Sequence, residues 1–139
     1  MFTSETQLRV RYADTDQMGV VYHSNYFDYF EVGRAEAIRQ LGYTYAKMEE
    51  AGICMPIVDA HARFLRPALY DNLLTIKTTL KELPVHHKIE FVHEIYNEQN
   101  QLLCSGKVIL YFVEKTSMKR AVMPEILKKI LEPYFTQST

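Results

Sequence analysis

The segment that decides the fold spans residues 12–26 and reads Tyr12-Ala13-Asp14-Thr15-Asp16-Gln17-Met18-Gly19-Val20-Val21-Tyr22-His23-Ser24-Asn25-Tyr26. It places two carboxylates, a glycine and a histidine in the turn between a predicted strand, residues 8–12, and a predicted long helix. The first amides of a helix have no partner within the helix, so they can stabilise negative charge. Acidic side chains beside such amides can combine a base or nucleophile with an oxyanion site. The segment therefore predicts where the helix begins and where chemistry can occur.

The long helix is predicted over residues 25–41, with Ser24 as its N-cap. Its apolar positions form one stripe: Phe27, Phe30, Ala37, Ile38 and Leu41. Gly33 and Ala37 lie four residues apart on the helix, so their small side chains let this face approach another surface closely.

The chain then changes to a two-residue period, which is typical of strands with one buried face. The pattern appears in residues 58–65, 74–81, 88–95 and 104–112, and shorter helices are expected at 45–51 and 125–131. The helix stripe and the inner strand faces must bury each other. The sequence therefore predicts an α+β fold in which an antiparallel meander of four strands wraps around a long central helix.

Length and composition restrict the class of protein. The 139 residues fit a single domain, residues 1–139, and 47% hydrophobic with 24% charged residues is typical of a globular protein. A net charge of −1 gives no bulk attraction to nucleic acid or to an anionic membrane. We expect no membrane span and no signal peptide. The two cysteines, Cys54 and Cys104, form no disulfide framework, so we expect packed thiols and a cytoplasmic protein.

The loop and helix start resemble the signature of the 4-hydroxybenzoyl-CoA thioesterase family of hotdog-fold enzymes. The family motif runs approximately Asp-x-x-Gly, two apolar residues and a tyrosine or histidine; here it reads Asp16-Gln17-Met18-Gly19-Val20-Val21-Tyr22-His23. The resemblance extends over about residues 8 to 124. It implies a hotdog fold, an antiparallel sheet wrapped around a long central helix. It also implies an acyl-CoA thioesterase of lipid metabolism, a hydrolase that releases a free acid and CoA.

The resemblance assigns the catalytic acid to Asp16. A carboxylate can activate water as a general base or attack the thioester carbonyl as a nucleophile, and the sequence leaves both routes open. Asp14 is expected to accept hydrogen bonds from nearby backbone, as acids in turns commonly do. The second catalytic assignment is His23, whose backbone amide, with those of its neighbours Ser24 and Asn25, would polarise the thioester oxygen.

Six residues are expected to contact the substrate: Gly19, Tyr22, Asn25, Met55, Arg63 and Arg66. Gly19 would let the loop pass close to the ligand. Met55 belongs to a segment that resembles the one lending a second amide to the site in this family. The two arginines are candidates for the CoA phosphates. Glu31 is a reserve catalytic acid, because some hotdog thioesterases use a helix glutamate, and we expect it to pair with Arg34 or Arg63 if its role is structural.

We expect no metal, because Asp14 and Asp16 have no third ligand at suitable spacing, and no cofactor beyond the substrate. An open sheet edge and the resemblance predict a homodimer or homotetramer with sites at the interface. Acyl carrier protein is an alternative to CoA as carrier. Two other functions stay open: an enoyl-thioester hydratase, whose histidine and acid have a different spacing from Asp16 and His23, and a dimer that binds acyl-CoA or acyl carrier protein without hydrolysis.

Overall fold

The computed structural model describes residues 1–136 and has an antiparallel sheet with a long helix packed on it. The elements are β1 (Phe2–Arg9), α1 (Asn25–Gln40), α2 (Tyr45–Glu50), β2 (Ile53–Cys54), β3 (Ile57–Phe64), β4 (Leu73–Leu80), β5 (Lys88–Tyr96), β6 (Leu102–Tyr111), β7 (Val113–Glu114) and α3 (Glu125–Leu131). Short 3₁₀ helices lie at Tyr12–Asp14 and Glu132–Tyr134. The three predicted helices and the four predicted strands after α1 are present, each within two residues of its predicted ends. Within residues 1–136, no helix is long and apolar enough to cross a bilayer.

The sheet differs from the predicted meander in one respect. Its strand order is β1-β4-β5-β6-β3, so β3 pairs with β6 rather than with the next strand along the chain. The segment after β3 is held across the start of α1 by a hydrogen bond from the Ala68 amide to the Tyr26 hydroxyl. This segment then meets the end of β1, where the Val10 amide donates a hydrogen bond to the backbone carbonyl of Asn72. The chain therefore reaches the far edge of the sheet before β4 begins.

The first strand lies earlier than residues 8–12, where the sequence pattern placed it. β1 pairs with β4 from Phe2 opposite Leu80 to Arg9 opposite Leu73. Residues 3–7 are mostly polar and have no strong strand pattern of their own, so the pairing with β4 determines where this strand lies. Beyond Arg9 the chain turns into the 3₁₀ helix, where Asp14 accepts a hydrogen bond from the Arg11 amide at 3.1 Å.

The buried face of α1 is rotated relative to the predicted stripe. Tyr26 and Tyr29 are buried because their hydroxyls find partners, whereas Phe27 is 36% exposed, contrary to prediction. The predicted close approach at Gly33 is confirmed. A methyl group added there would lie 2.5 Å from Oγ1 of Thr78 on β4. The central part of α1 is thus fixed against the sheet.

The edge strand β3 has no buried face in the single chain, although the alternating pattern predicted one. All of its residues except Ala62 are exposed. Apolar side chains at its two ends are about half exposed: Ile57, Val58, Phe64 and the adjacent Leu65. An open edge with exposed apolar residues is typical of a strand that pairs with another chain.

Candidate active site

The loop before α1 is held in a defined shape by its own backbone. The Asp16 amide donates a hydrogen bond to the Val20 carbonyl at 2.9 Å, and the Gly19 amide donates one to the backbone carbonyl of Asp16 at 3.0 Å. Gly19 has a φ of 78°, which glycine adopts without the penalty that a side chain would bring. A bridge between Val20 and Leu69 ties the loop to the segment after β3. The glycine in the motif is therefore required by the turn itself.

Asp14 is the structural acid of the pair. It is buried and accepts hydrogen bonds from the Arg11 amide, from Nη2 of Arg11 at 3.0 Å and from the Tyr29 hydroxyl at 2.9 Å. Burial by itself would raise the pKa of Asp14, but these hydrogen bonds outweigh it and hold the pKa below its ordinary value. This agrees with the role expected for Asp14 from the sequence.

Asp16 is the accessible acid of the pair. It is half-buried, and its Oδ1 accepts a hydrogen bond from the Met18 amide at 2.8 Å. Within residues 1–136, Oδ2 has no hydrogen-bond partner. Asp16 lines an open cavity of about 480 Å³ together with Tyr12, Ala13, Thr15 and Gln17. A carboxylate fixed on one oxygen and free on the other can act as a base or a nucleophile.

The start of α1 offers two amides. Within residues 1–136, neither the His23 nor the Ser24 amide has a hydrogen-bond partner. The expected third amide is not available, because Asn25 donates its own to the Tyr22 carbonyl at 2.9 Å. Ser24 sits at the N-cap position, but its side chain makes no capping hydrogen bond. The two free amides are placed as donors to a developing negative charge.

Asn25 and Tyr22 support the helix start. The Asn25 side-chain nitrogen donates to the Asp14 carbonyl at 2.8 Å, so its amide group connects the loop to α1. Tyr22 is 47% exposed, and its ring lies 4.2 Å from the His23 ring. His23 is itself exposed.

A shallow cavity of about 280 Å³ brings His23 and Arg66 together. Tyr26 lies in the wall of this cavity, and its hydroxyl accepts a hydrogen bond from the Ala68 amide at 3.1 Å. This bond positions the chain after β3 over the start of α1. Tyr26 belongs to the predicted motif, whereas the sequence analysis gave no site role to two other lining residues, Phe64 and Leu65. The spacing of Tyr26 and Tyr29 by one helical turn was the available signal, because buried tyrosines at such spacing need hydroxyl partners.

The other predicted site residues lie elsewhere in the single chain. Met55 lines a third cavity, of about 510 Å³, together with Glu31, Arg34 and Cys54. Arg63 is exposed on the edge strand β3. Asp16, the His23–Arg66 pair and Met55 therefore belong to three different cavities of one chain.

Glu31 and the thiols differ in part from expectation. Glu31 is exposed, and within residues 1–136 no ion pair joins it to Arg34 or Arg63. Cys104 is buried, and burial raises its pKa to about 12, whereas Cys54 is only partly buried. No three His, Cys, Asp or Glu side chains in the described part of the chain are arranged to hold a metal ion.

Comparison with known proteins assigns the family. The model of the thioesterase-like superfamily matches residues 10–131, which include the loop, α1 and the whole sheet after β1. The chain belongs to the thioesterase-like superfamily. YneP of Bacillus subtilis, a candidate acyl-CoA thioesterase, is 35% identical over 119 residues, which cover 86% of each chain. The acyl-CoA thioesterase YbgC of Helicobacter pylori is 32% identical, and the matched region spans 88% of this chain and 96% of that protein.

Solved structures agree with this thioesterase assignment. The DHNA-CoA thioesterase of Staphylococcus aureus superposes with a TM-score of 0.84 at 32% identity, covering 97% of this chain and 85% of that one. A 4-hydroxybenzoyl-CoA thioesterase, at 22% identity, shares the fold with a TM-score of 0.81 over 94% of this chain and 99% of its own. The predicted hotdog fold and the resemblance to hotdog acyl-CoA thioesterases are confirmed.

Proposed function

We propose that this thioesterase hydrolyses acyl-CoA at a site formed by Asp16 and by the free amides of His23 and Ser24. The observation that carries the proposal is the contrast between the two loop acids. Asp14 is buried with both carboxylate oxygens hydrogen-bonded, whereas Asp16 is accessible and its Oδ2 has no hydrogen-bond partner among the described residues. Membership of the family supplies the class of reaction.

In this mechanism the thioester oxygen accepts hydrogen bonds from the His23 and Ser24 amides, which stabilise the negative charge that develops there. As a base, Asp16 takes a proton from water while the water oxygen attacks the carbonyl carbon. As a nucleophile, it forms a mixed anhydride that water then cleaves. In both routes the carbon–sulfur bond breaks, the CoA thiolate takes up a proton, and a free acid is released. Gly19 and Tyr22 shape the loop around the thioester.

A second copy of the chain would complete the site. Two-fold pairing of the β3 edges places the start of one strand beside the end of the other. Ile57 of one copy then lies near Phe64 of its partner, which lines the cavity of His23 and Arg66. Met55, two residues before Ile57, would thereby approach a site from which it is distant in one chain. A homodimer, or a homotetramer built from dimers, is the proposed assembly.

Arg66 and Arg63 are the proposed partners of the CoA phosphates, since both guanidinium groups are exposed near this edge. The carrier is CoA; acyl carrier protein is the alternative. The proposal includes a single domain over residues 1–139, supported by one continuous hydrophobic core. A role in lipid metabolism in the cytoplasm completes it.

The test is thiol release from a panel of short, long, branched and aromatic acyl-CoAs, followed with a colorimetric thiol reagent. Calorimetric binding of the same compounds runs in parallel. We expect release of free CoA from at least one class. Tight binding without release would make the chain a binding module. With an enoyl-CoA included in the panel, loss of the enoyl absorbance without release of thiol would make the chain a hydratase.

A further inference from the structure

A cavity of about 510 Å³ lies between α1, α2 and the segment that leads into β3. Its wall is largely apolar and includes Met48, residues 53–57 and Leu110. The volume falls in the range of small-molecule sites, which typically combine apolar walls with a few polar groups. The proposed chemistry at Asp16 does not use this cavity.

The wall also contains a buried guanidinium. Arg34 is 3% exposed, and its Nη1 lies 3.4 Å from Nε2 of His93. Its Nε is buried and has no hydrogen-bond partner within residues 1–136. No carboxylate in that part of the chain forms an ion pair with it. A buried charge with an unpaired donor is costly unless something else satisfies it.

The contact with His93 cannot neutralise Arg34. A guanidinium only donates, so Nε2 of His93 must accept, and its proton lies on Nδ1, 3.0 Å from Oγ1 of Thr78. His93 is fully buried and stacks on Phe30 with ring centres 4.8 Å apart. Burial, with a smaller effect of Arg34, lowers the pKa of His93 to about 3, so the ring is neutral at physiological pH.

Two acids in the same wall are placed differently. Glu31 and Glu49 are both exposed, so water screens their charges, whereas Arg34 is closed off from solvent. Burial lowers the pKa of Arg34, while the charge of Tyr45, a side-chain hydrogen bond with Tyr45 and the charge of Glu31 raise it. The wall of the cavity thus combines two solvent-exposed acids with a buried guanidinium, one donor of which, Nε, has no hydrogen-bond partner within residues 1–136.

From this arrangement we infer that the cavity binds a molecule with an apolar body and a terminal carboxylate, which Arg34 recognises. Where the proposed function holds, that molecule is the acyl chain of the substrate, with a carboxylate at the end remote from CoA. His23 lies two residues before α1 and Arg34 lies within it, so a chain that runs from the His23 amide along the helix reaches Arg34 after about 16 Å. A free carboxylic acid offers the same chemistry. Arg34 is therefore a specificity-determining residue.

The experiment compares acyl-CoAs of equal length that end in either a methyl group or a carboxylate: octanoyl with suberoyl, and dodecanoyl with dodecanedioyl. Wild type, Arg34→Met and Arg39→Met are assayed by thiol release. Arg39 is the matched control, because it lies exposed on the same helix and pairs with Glu36. For wild type and the control, we expect kcat/KM to favour the carboxylate member by roughly 10- to 100-fold for at least one length. Arg34→Met should lose that preference while still hydrolysing the methyl-ended member.

An equal ratio in wild type and Arg34→Met overturns the inference and leaves the thioesterase activity intact. Absence of thiol release from every compound is instead a failure of the proposed function. The cavity is then tested by calorimetry with free suberate and octanoate: binding that Arg34→Met weakens at least tenfold supports the site, and no binding to wild type overturns it. If Arg34→Met does not fold, Arg34→Lys replaces it. Lysine lacks the planar fork, so the preference should fall, and an unchanged preference overturns the inference.

Discussion

The Tyr29 hydroxyl donates a 2.9 Å hydrogen bond to Oδ2 of Asp14, and this contact separates the roles of the two loop acids. It connects Tyr29, the fifth residue of α1, to the loop, and it uses an oxygen of Asp14 that catalysis would need. Burial raises the pKa of Tyr29, and its bond to Asp14 raises it further, so the hydroxyl remains a donor. Asp16, two residues later, is left accessible.

Replacing Asp14 with Asn should destabilise the fold. The variant loses charge-assisted hydrogen bonds to Arg11 and Tyr29, so we expect the free energy of unfolding to fall by about 1–3 kcal/mol. The folded pKa of Asp14 is depressed, so this stabilisation is present above the unfolded pKa and disappears as pH falls through the folded pKa. Urea unfolding of both proteins from pH 7 to pH 3 measures the difference. A difference that does not shrink below about pH 4 would contradict the assignment.

Gly33→Ala should also destabilise the protein, although alanine favours helices. The added methyl would lie 2.5 Å from Oγ1 of Thr78 and 2.8 Å from Cγ2 of Ile76, and overpacking of this kind costs about 1–3 kcal/mol. That exceeds the gain of about 1 kcal/mol in helix propensity. Ala35→Gly on the same helix measures the propensity effect alone. A more stable Gly33→Ala protein would show that α1 is not pressed against β4.

The buried His93 should make stability depend on pH in a different range. The pKa of His93 is about 3 in the folded state and about 6.5 in the unfolded state. Between these two pH values the unfolded state binds a proton on His93 and the folded state does not. Its contribution to stability is present above about pH 6.5 and is lost as pH falls towards 3, with a slope of up to about 1.4 kcal/mol per pH unit. His93→Gln should remove this slope between pH 6.5 and 4, and exposed His61→Gln should not. Equal slopes in wild type and His93→Gln would refute the neutral core histidine.

The edge strand β3 should control assembly. Ala60 lies at its exposed middle, so Ala60→Glu would bring like charges together in a two-fold pairing. We expect a dimeric wild type, a monomeric Ala60→Glu protein with strongly reduced thiol release, and a dimeric Gln7→Glu control on the opposite edge. Sedimentation equilibrium measures all three. A dimer that survives Ala60→Glu would place the interface elsewhere.

Much of the fold follows from local patterns in the sequence. The helix at Asn25–Gln40 and the four later strands have strong periodicity, and the loop motif marks their junction. β1 did not follow from pattern, because its pairing with β4 is a tertiary effect that polar residues do not indicate. The pairing of β3 with β6 was also not predicted. It requires residues 66–72 to cross the start of α1, and that crossing depends on the hydrogen bond from Ala68 to Tyr26.

The site was only partly predictable. Motif residues Asp16, Gly19 and His23 all lie in the segment before α1, as expected of a contiguous motif, but Asp16 and His23 line different cavities of the single chain. The engagement of the Asn25 amide and side chain could not be foreseen, since both bonds depend on the path of the turn. The buried charge of Arg34 gave no signal, because its sequence neighbourhood is that of an ordinary solvated helix face.

The most direct test of the central claim is the effect of Asp16→Asn on thiol release from the best acyl-CoA substrate. Asp28→Asn, an exposed acid in the first turn of α1, is the matched control, and thermal unfolding monitors the fold of both. We predict that Asp16→Asn lowers kcat/KM by at least about 100-fold with an unchanged melting temperature, while Asp28→Asn stays near wild type. An Asp16→Asn protein that keeps most of the wild-type activity would contradict the account and transfer the chemistry to Glu31 or Asp14.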